Sequence, residues 1–283
     1  MRDFDVKHIL APTDLDEAAF PALAYARFLA ERTSAKLTVL YAEPIAYPYT
    51  AVEPPPGTMQ PALQDEAVLR QSVEEHVAPA LAGWAHEVVV MTGQPIQTIL
   101  HTARERDVSM IVMATHARRG WRRAILGSVT EGVIHGSRCP VMTLRTRSGS
   151  AGAKQSVTKI LCPINFTEVA RESLFAAARL AQTFGAELLV AFVVEQGEEK
   201  NERWEAEVRL WIPQELREIS SPHQLVLRGG AAERVLDAAD DFGAELLVVG
   251  AQQKAFRDAT VIGSTTERLI RFANCPVLVC PRG

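Results

Sequence analysis

The sequence predicts an α/β fold with two tandem domains, each built on a parallel, doubly wound sheet. The chain has 283 residues, more than a single domain usually contains. The stretch LGSVTEGVI at 126–134 returns as IGSTTERLI at 262–270, an offset of 136 residues. Within each copy, short aliphatic runs alternate with segments of helical periodicity, which is the pattern of β-α-β units.

The repeat extends over the whole chain. KHILAPTD at 7–14 corresponds to TKILCPIN at 158–165, and SAKLTVLYAE at 34–43 corresponds to GAELLVAFVV at 185–194, both at an offset of 151. GQPIQTIL at 93–100 corresponds to GGAAERVL at 229–236, and SRCPVMTL at 137–144 to ANCPVLVC at 273–280, both at an offset of 136. The second copy is therefore 15 residues shorter. The surplus is a proline-rich stretch at 46–61, which predicts an extended loop.

The elements follow in a fixed order. Aliphatic runs at 7–12, 36–42, 87–91, 109–114 and 141–144 predict five strands in the first copy, and the segments between them predict helices. In the second copy Trp204, Val208, Trp211 and Ile212 fall on one helical face, which predicts core packing rather than a platform for a cofactor. A small, polar linker at 147–156 separates the domains, which we place at 1–147 and 157–283.

Composition and charge restrict the function classes. The net charge of -4 and pI near 6.0 predict no nucleic-acid partner, and the absence of a long apolar run or signal peptide predicts no membrane partner and a cytoplasmic location. Cys139, Cys162, Cys275 and Cys280 lack the spacing of a zinc or redox pair. We expect them to be small, buried and reduced.

The repeated motif predicts the start of a helix. Ser128 and Glu131 match a Ser-x-x-Glu capping box, and Ser264 and Glu267 match the same box in the second copy. The preceding glycine allows close approach of a ligand to the backbone, and the first helical turn presents unpaired N–H groups at the positive end of the helix dipole. Such a position favours a bound anion.

Polar residues follow the strands that precede this helix. Asp14 comes directly after the first strand, and the repeated motif follows the fourth. If these two strands are neighbours where the strand order reverses, Asp14 and Gly127-Ser128 face one crevice. A carboxylate there would accept from a ribose hydroxyl while the helix start holds phosphates.

The sequence lacks the motifs of several other kinds of nucleotide-binding and catalytic site. The chain has neither a Walker loop nor a Gly-x-Gly-x-x-Gly turn, and no Gly-x-Ser-x-Gly elbow. His101, His116 and His135 have no evident Ser or Cys partner, so no catalytic triad is predicted. The phosphate motifs of adenylate-forming enzymes are also missing.

Both halves resemble universal stress protein domains. The resemblance rests on a first strand of the form I-L-x-P-x-D, a fourth strand leading into Gly-x2-Gly-x9-Gly-Ser/Thr, and a closing C-P-V strand. It implies two Rossmann-like domains of the adenine nucleotide alpha hydrolase-like type, each with a five-stranded parallel sheet flanked by helices. It also implies that the two last strands, 141–144 and 277–280, pair antiparallel, so that the chain forms an intramolecular pseudo-dimer.

The resemblance also implies the residues of a binding site in each copy. The two copies depart from the family motif at different positions. In the first copy Ala114 and Ala117 replace two glycines of the motif; in the second, Gly250 remains, Gln253 replaces the other glycine and Asn165 replaces the aspartate. The implied binding residues of the first copy are Pro12, Thr13, Asp14, Ala42, Met113, Ala114, His116, Ala117, Arg118, Gly127, Ser128 and Val129. Those of the second are Asn165, Val193, Gly250, Gln253, Gly263, Ser264 and Thr265.

The leading hypothesis is binding of an adenine nucleotide, ATP with Mg²⁺, more in the first domain than in the second. The first copy keeps its aspartate and adds Arg118 and Arg119 near the helix start. The module would act in regulation or sensing during stress, with at most slow hydrolysis of ATP. The rival hypothesis is a nucleotide-free scaffold that binds other proteins. A homodimer of the tandem chain and a protein partner of unknown identity stay open.

Overall fold

The structure, a computed structural model, describes residues 4–44, 66–115, 126–145, 156–195, 203–251, 253–256 and 259–281. The proline-rich stretch at 46–61 and residues 147–155 of the linker lie outside this part of the chain. The first half contains five strands: β1 (His8–Thr13), β2 (Lys36–Glu43), β3 (Glu87–Thr92), β4 (Met110–Thr115) and β5 (Val141–Arg145). Its helices are α1 (Phe20–Thr33), α2 (Glu66–Leu81), α3 (Pro95–Glu105) and α4 (Ser128–Gly136), and a 3₁₀ turn at Glu17–Ala19 precedes α1.

Within the described residues, the second half repeats this order with two additions. Its sheet strands are β6 (Lys159–Ile164), β7 (Glu187–Val194), β8 (His223–Arg228), β9 (Leu246–Gly250) and β12 (Val277–Cys280). Its helices are α5 (Glu168–Phe184), α6 (Arg203–Trp211), α7 (Gln214–Ser220), α8 (Ala231–Phe242) and α9 (Ser264–Phe272). The first addition is the pair α6 and α7, where α2 stands in the first half. The second is an antiparallel hairpin of β10 (Gln253–Phe256) and β11 (Ala259–Ile262), which the sequence pattern did not predict.

The strands form one ten-stranded sheet in the order β3-β2-β1-β4-β5-β12-β9-β6-β7-β8. Every pair within a half is parallel, and β5 and β12 pair antiparallel across the middle, with Met142 opposite Leu278. The predicted pair of five-stranded parallel sheets, joined through their last strands, is confirmed. Since β5 and β12 run in opposite directions, the carboxyl ends of the strands in the two halves lie at opposite edges of the sheet.

Two apolar layers cover the faces of the sheet. Alternate strand residues point to opposite faces, so Ile9 packs with α1 while its neighbour Leu10 packs with α3 and α4. One layer contains residues of α1, α2 and α5 to α7, and the other contains residues of α3, α4, α8 and α9. Both layers include residues of both halves, so the core is continuous across the β5–β12 junction.

The helix α6 confirms the prediction that its tryptophans belong to the core. Val208 and Ile212 are fully buried, and the rings of Trp204 and Trp211 pack against the same layer. The ring of Phe166 lies 6.3 Å from that of Trp204 and 5.7 Å from that of Trp211. These aromatic rings cover the end of the second half's sheet that α2 covers in the first half.

Side-chain contacts reinforce the junction between the halves. The Thr143 hydroxyl donates to the Val277 carbonyl at 3.1 Å, and the Arg145 guanidinium donates to the Ala273 carbonyl at 3.1 Å. On the α1 side of the sheet, the rings of Phe28 and Phe184 stack with their centroids 5.9 Å apart. The junction therefore combines backbone pairing with apolar contact between α1 and α5.

Tyr25 on α1 is buried near this junction. Burial raises its pKa, and the nearby Cys275 and Glu245 of the second half raise it further. Within the part of the chain that the structure describes, no group pairs with the Tyr25 hydroxyl. A buried hydroxyl without a hydrogen-bond partner lowers the stability of the fold.

We expect Tyr25→Phe to leave the free energy of unfolding unchanged or to raise it by about 1 kcal/mol, because it removes the unpartnered hydroxyl and keeps the ring. Tyr25→Ala should lower it by about 3–5 kcal/mol, because it leaves a cavity beside Phe28. Urea unfolding of the three proteins measures both effects. A clear loss of stability in Tyr25→Phe would show that the hydroxyl has a partner.

Candidate functional site

The candidate site of the first half lies where the strand order reverses. β1 pairs with β2 on one side and with β4 on the other, as predicted. Thr13 at the end of β1 is buried and Asp14, the next residue, is exposed. The 3₁₀ turn that follows Asp14 contacts β4, and α4 begins after β4. Asp14 and the start of α4 therefore belong to the same edge of the sheet.

Helices begin at both predicted positions, but the prediction of a capping box at each is wrong. The N-cap residues are Gly127 and Gly263, with extended backbones, and neither helix has a side-chain cap hydrogen bond. Ser128 and Ser264 are the first residues inside their helices rather than caps. Because φ and ψ of the preceding glycine decide where a helix begins, the Ser-x-x-Glu spacing alone could not place the cap.

Within the described residues, no side chain caps the first turn of either helix. The N–H groups of the first turn have no carbonyl partner inside the helix, as in any α-helix. Gly127 and Val129 are half-buried and Ser128 is exposed, and Gly263, Ser264 and Thr265 show the same pattern. Each serine hydroxyl therefore lies at the surface beside unpaired N–H groups, which suits an anionic ligand.

A threonine in the first turn connects each helix to the preceding strand. The Thr130 hydroxyl donates to the Ala114 carbonyl at the end of β4 at 3.2 Å. The Thr266 hydroxyl donates to the Gly250 carbonyl at the end of β9 at 3.1 Å. The sequence analysis missed this contact, although both threonines occupy the same place in the repeat.

Ala114 replaces a glycine without intruding into the candidate site. It has no positive φ, and its methyl group packs in the layer that contains α1, on the face opposite α4. In the second half Gly250 stands at this position, and a Cβ there would lie 2.7 Å from Val169 Cγ1 and 3.0 Å from the Val169 carbonyl oxygen. Val169 corresponds to Ala18 of the first half. The first copy therefore has two alanines where the second copy has Gly250 and the larger Val169.

The residue after Asp14 adopts an unusual backbone conformation in both copies. Leu15 has a φ of 62° and Phe166, its counterpart, a φ of 58°. This left-handed conformation costs roughly 1 kcal/mol or more for a residue with a side chain. The N–H of Leu15 donates to Thr13 Oγ1 at 3.1 Å, and both side chains pack against the core, which holds the turn in place. Neither Leu15 nor Phe166 is a glycine or an asparagine, the residues that most often mark such a conformation in a sequence.

The polar groups of this turn differ between the copies. In the first half, Asp14 Oδ1 accepts from the N–H of Asp16 at 3.2 Å, and Asp16 Oδ1 accepts from the N–H of Ala18 at 3.0 Å. In the second half, the Thr167 hydroxyl donates to Asn165 Oδ1 at 2.7 Å. In both copies the side-chain oxygen therefore accepts a hydrogen bond within the turn, and the copies differ in that Asp14 carries a charge and Asn165 does not.

The other predicted site residues are found at strand ends or outside the described residues. Pro12, Ala42 and Val193 are half-buried at the ends of β1, β2 and β7, and Met113 is buried in the layer of α3 and α4. His116, Ala117 and Arg118 lie outside the described residues, as does Arg119. Gln253 belongs to β10, and its side chain is not described. In the described parts of the chain no three His, Cys, Asp or Glu side chains form a metal-binding group.

The four cysteines are free thiols that pack with apolar residues; Cys162 and Cys280 are buried as expected, whereas Cys139 and Cys275 are half-buried. Burial raises the pKa of Cys162 and of Cys275 to about 12, and it also raises the pKa of Cys139 and Cys280. Thiols react as thiolates, so a raised pKa makes them inert at neutral pH.

Comparison with known proteins agrees with this geometry. The model of the universal stress protein family matches residues 5–145 and again residues 156–281. The chain belongs to the universal stress protein family. The two matches confirm the resemblance noted above and the tandem arrangement.

Relatives of this universal stress protein include single-domain and larger proteins. A universal stress protein of Methanocaldococcus jannaschii, MJ0531, is 27% identical over 49% of this chain and 82% of its own length. The Na⁺/H⁺ antiporter NhaS5 of Synechocystis is 24% identical over 76% of this chain, which spans only 30% of the antiporter. A solved universal stress protein of Archaeoglobus fulgidus, 23% identical, covers 99% of this chain with all of its own and has a TM-score of 0.76. Among the described helices of this chain, none has the length and apolar character to cross a bilayer.

We expect Gly250→Ala to lower the free energy of unfolding by about 1–3 kcal/mol, because the added methyl group meets Val169. In the double variant with Val169→Ala, the loss should be smaller than the sum of the two single losses, because the side-chain clash disappears. Urea unfolding of the four proteins gives the coupling energy. Purely additive losses would show that the two positions are not in contact.

The buried thiols predict a loss of stability in alkaline solution. Above pH 9 the cysteines of the unfolded chain ionise, while in the folded protein the pKa of Cys162 and of Cys275 stays near 12. The unfolded state then binds fewer protons, so the free energy of unfolding falls as the pH rises from 9 towards 12. Chemical unfolding at pH 8 and pH 10 measures this change, and Cys162→Ala should reduce the difference. An equal stability of the wild-type chain at both pH values would contradict the prediction.

Proposed function

We propose that this universal stress protein binds an adenine nucleotide, ATP with Mg²⁺, in its first domain, at 1–147. The proposal places it in the cytoplasm as a regulatory or sensing module of the stress response. The single observation that supports it best is that Asp14, directly after β1, and the start of α4 follow the carboxyl ends of neighbouring strands at the point where the strand order reverses. In open α/β sheets this is the place where ligands bind.

The two sides of this site suit the two parts of a nucleotide. The Asp14 carboxylate is an acceptor for the ribose hydroxyls, and the bond is strengthened by its charge. The N–H groups of the first turn of α4 and the Ser128 hydroxyl are donors for phosphate oxygens. Ala42, at the end of β2, leaves room for the adenine ring. Mg²⁺ would be held mainly by the phosphates, which is its usual mode of binding beside a nucleotide.

The second domain, at 157–283, is the weaker candidate. Asn165 lacks the charge of Asp14, so a hydrogen bond that it accepts from a ribose hydroxyl would be weaker. The segment before Gly263 forms the β10–β11 hairpin, and β11 contacts α4 of the first domain. The site residues proposed there are Asn165, Val193, Gly250, Gln253, Gly263, Ser264 and Thr265. We propose that His116, Ala117 and Arg118 complete the first site.

We propose binding rather than rapid catalysis. A fast phosphoryl transfer needs a group that orients or deprotonates the attacking water beside the γ-phosphate. The residues that meet at the described site are a carboxylate fixed by its own turn and a helix start, which suit binding. Slow hydrolysis of ATP is compatible with this arrangement.

A second candidate function is a nucleotide-free scaffold that binds other proteins. The β5–β12 pairing favours it, because a fused pseudo-dimer has a defined shape whether or not a nucleotide is bound. Ala117 and Gln253, each of which replaces a glycine of the family motif, favour the scaffold function as well. The two functions differ in their response to nucleotide.

Binding of Mg-ATP to the purified full chain, measured by titration calorimetry, tests the proposal. We expect saturable binding of one ATP per chain. Asp14→Asn should raise the Kd about tenfold, because it removes the charge that strengthens the hydrogen bond to the ribose. The substitution gives the first domain the side chain that the second already has.

Asp5→Asn is the matched control. It removes the same charge from an exposed aspartate of the same domain that pairs with Lys7 at the surface. Its Kd should equal that of the wild-type chain. Absence of binding at millimolar Mg-ATP would exclude the nucleotide function and leave the scaffold. Equal affinities of Asp14→Asn and the wild-type chain would remove Asp14 from the site.

A further inference from the structure

In each half, a buried hydrogen bond joins the end of the fourth strand to the first turn of the helix that follows it. Thr130 is 3% exposed and its hydroxyl donates to the Ala114 carbonyl, 16 residues earlier in the chain. Thr266 is 5% exposed and donates to the Gly250 carbonyl, also 16 residues earlier. The distances of 3.2 and 3.1 Å agree, although the sequences of the two loops differ. The bond therefore does not depend on the sequence of the loop.

This bond acts at the start of a helix whose N-cap residue has no side chain. The N-cap of α4 is Gly127, which has no side chain to bind the first turn. A glycine also restricts the backbone less than any other residue. Thr130 is the third residue of α4, so its hydroxyl fixes the first turn of the helix to the end of β4. The β-branched side chain has few rotamers, which makes the connection stiff.

We propose that Thr130 is a positioning residue for the nucleotide phosphates. It does not contact the ligand, because its side chain is buried on the strand side of the helix. By holding the first turn of α4 against the end of β4, it keeps the N–H groups of Ser128 and Val129 directed at the place where the phosphates bind. This role rests on the proposed binding of ATP to the first domain.

Thr266 provides a matched control within the same chain. Thr266→Val and Thr130→Val remove the same hydroxyl from equally buried positions and should lower the stability of their domains to a similar degree. Only Thr130→Val should weaken the binding of Mg-ATP, with a Kd about fivefold higher, since only the first domain binds the nucleotide. Thr130→Ser, which keeps a hydroxyl, should restore most of the affinity.

The experiment combines titration calorimetry of Mg-ATP, urea unfolding and amide exchange of the full chain. Thr130→Val should also speed the exchange of the amides at 128–131 without a change at 264–267. If Thr130→Val does not fold, Thr130→Ala removes the same hydroxyl with less bulk and is compared with Thr266→Ala.

Each outcome decides a separate question. Lack of ATP binding by the wild-type chain overturns the proposed function and this inference together. Binding by the wild-type chain with an unchanged Kd in Thr130→Val overturns only the positioning role. An equal loss of affinity in Thr130→Val and Thr266→Val also overturns it, because the effect would then follow from general stability.

Discussion

The antiparallel pairing of β5 with β12 is the constraint on which the rest of the structure depends. An exposed last strand would leave a row of unpaired N–H and C=O groups at the edge of each five-stranded sheet. Pairing these two edges joins the sheets into one, with Val141 opposite Val279 at the centre, and leaves β3 and β8 as the outer strands. Both apolar layers then run across the junction, so each half is covered in part by the other. Because the copies are fused, their pairing occurs at a high effective concentration.

The duplicated domains show which contacts the fold requires and which it lets vary. The strand-to-helix hydrogen bonds of Thr130 and Thr266 and the left-handed turns at Leu15 and Phe166 are the same in both halves. The helix that contacts the end of the fourth strand differs, since α5 begins at Glu168 where the first half has a 3₁₀ turn. Gly250 accommodates that helix by its lack of a side chain. Backbone geometry at the candidate sites is thus retained while the packing behind it has diverged.

Sequence reasoning succeeded where a long, periodic pattern carries the information. All five strands of the first half were predicted within one or two residues at each end, because buried parallel strands are continuous aliphatic runs. It failed where the outcome depends on the conformation of one or two residues. The sequence predicts Ser128 as an N-cap, but this residue lies inside its helix. The residue types of Leu15 and Phe166 do not indicate a positive φ. The β10–β11 hairpin has no Asn-Gly or Asp-Gly turn to mark it.

The direction of the strands also determines how two sites in this chain can influence each other. The two candidate sites lie at the carboxyl ends of their own sheets, and these ends are at opposite edges of the joined sheet. A ligand in one site cannot touch a ligand in the other. Among the described residues, some of the contacts between the halves lie beside the candidate sites. The Arg145 guanidinium, at the end of β5, donates to the Ala273 carbonyl directly after α9, and β11 contacts α4. Each of these contacts connects an element next to one candidate site with a helix that begins at the other, so the fused halves share packing around both sites without bringing the sites together.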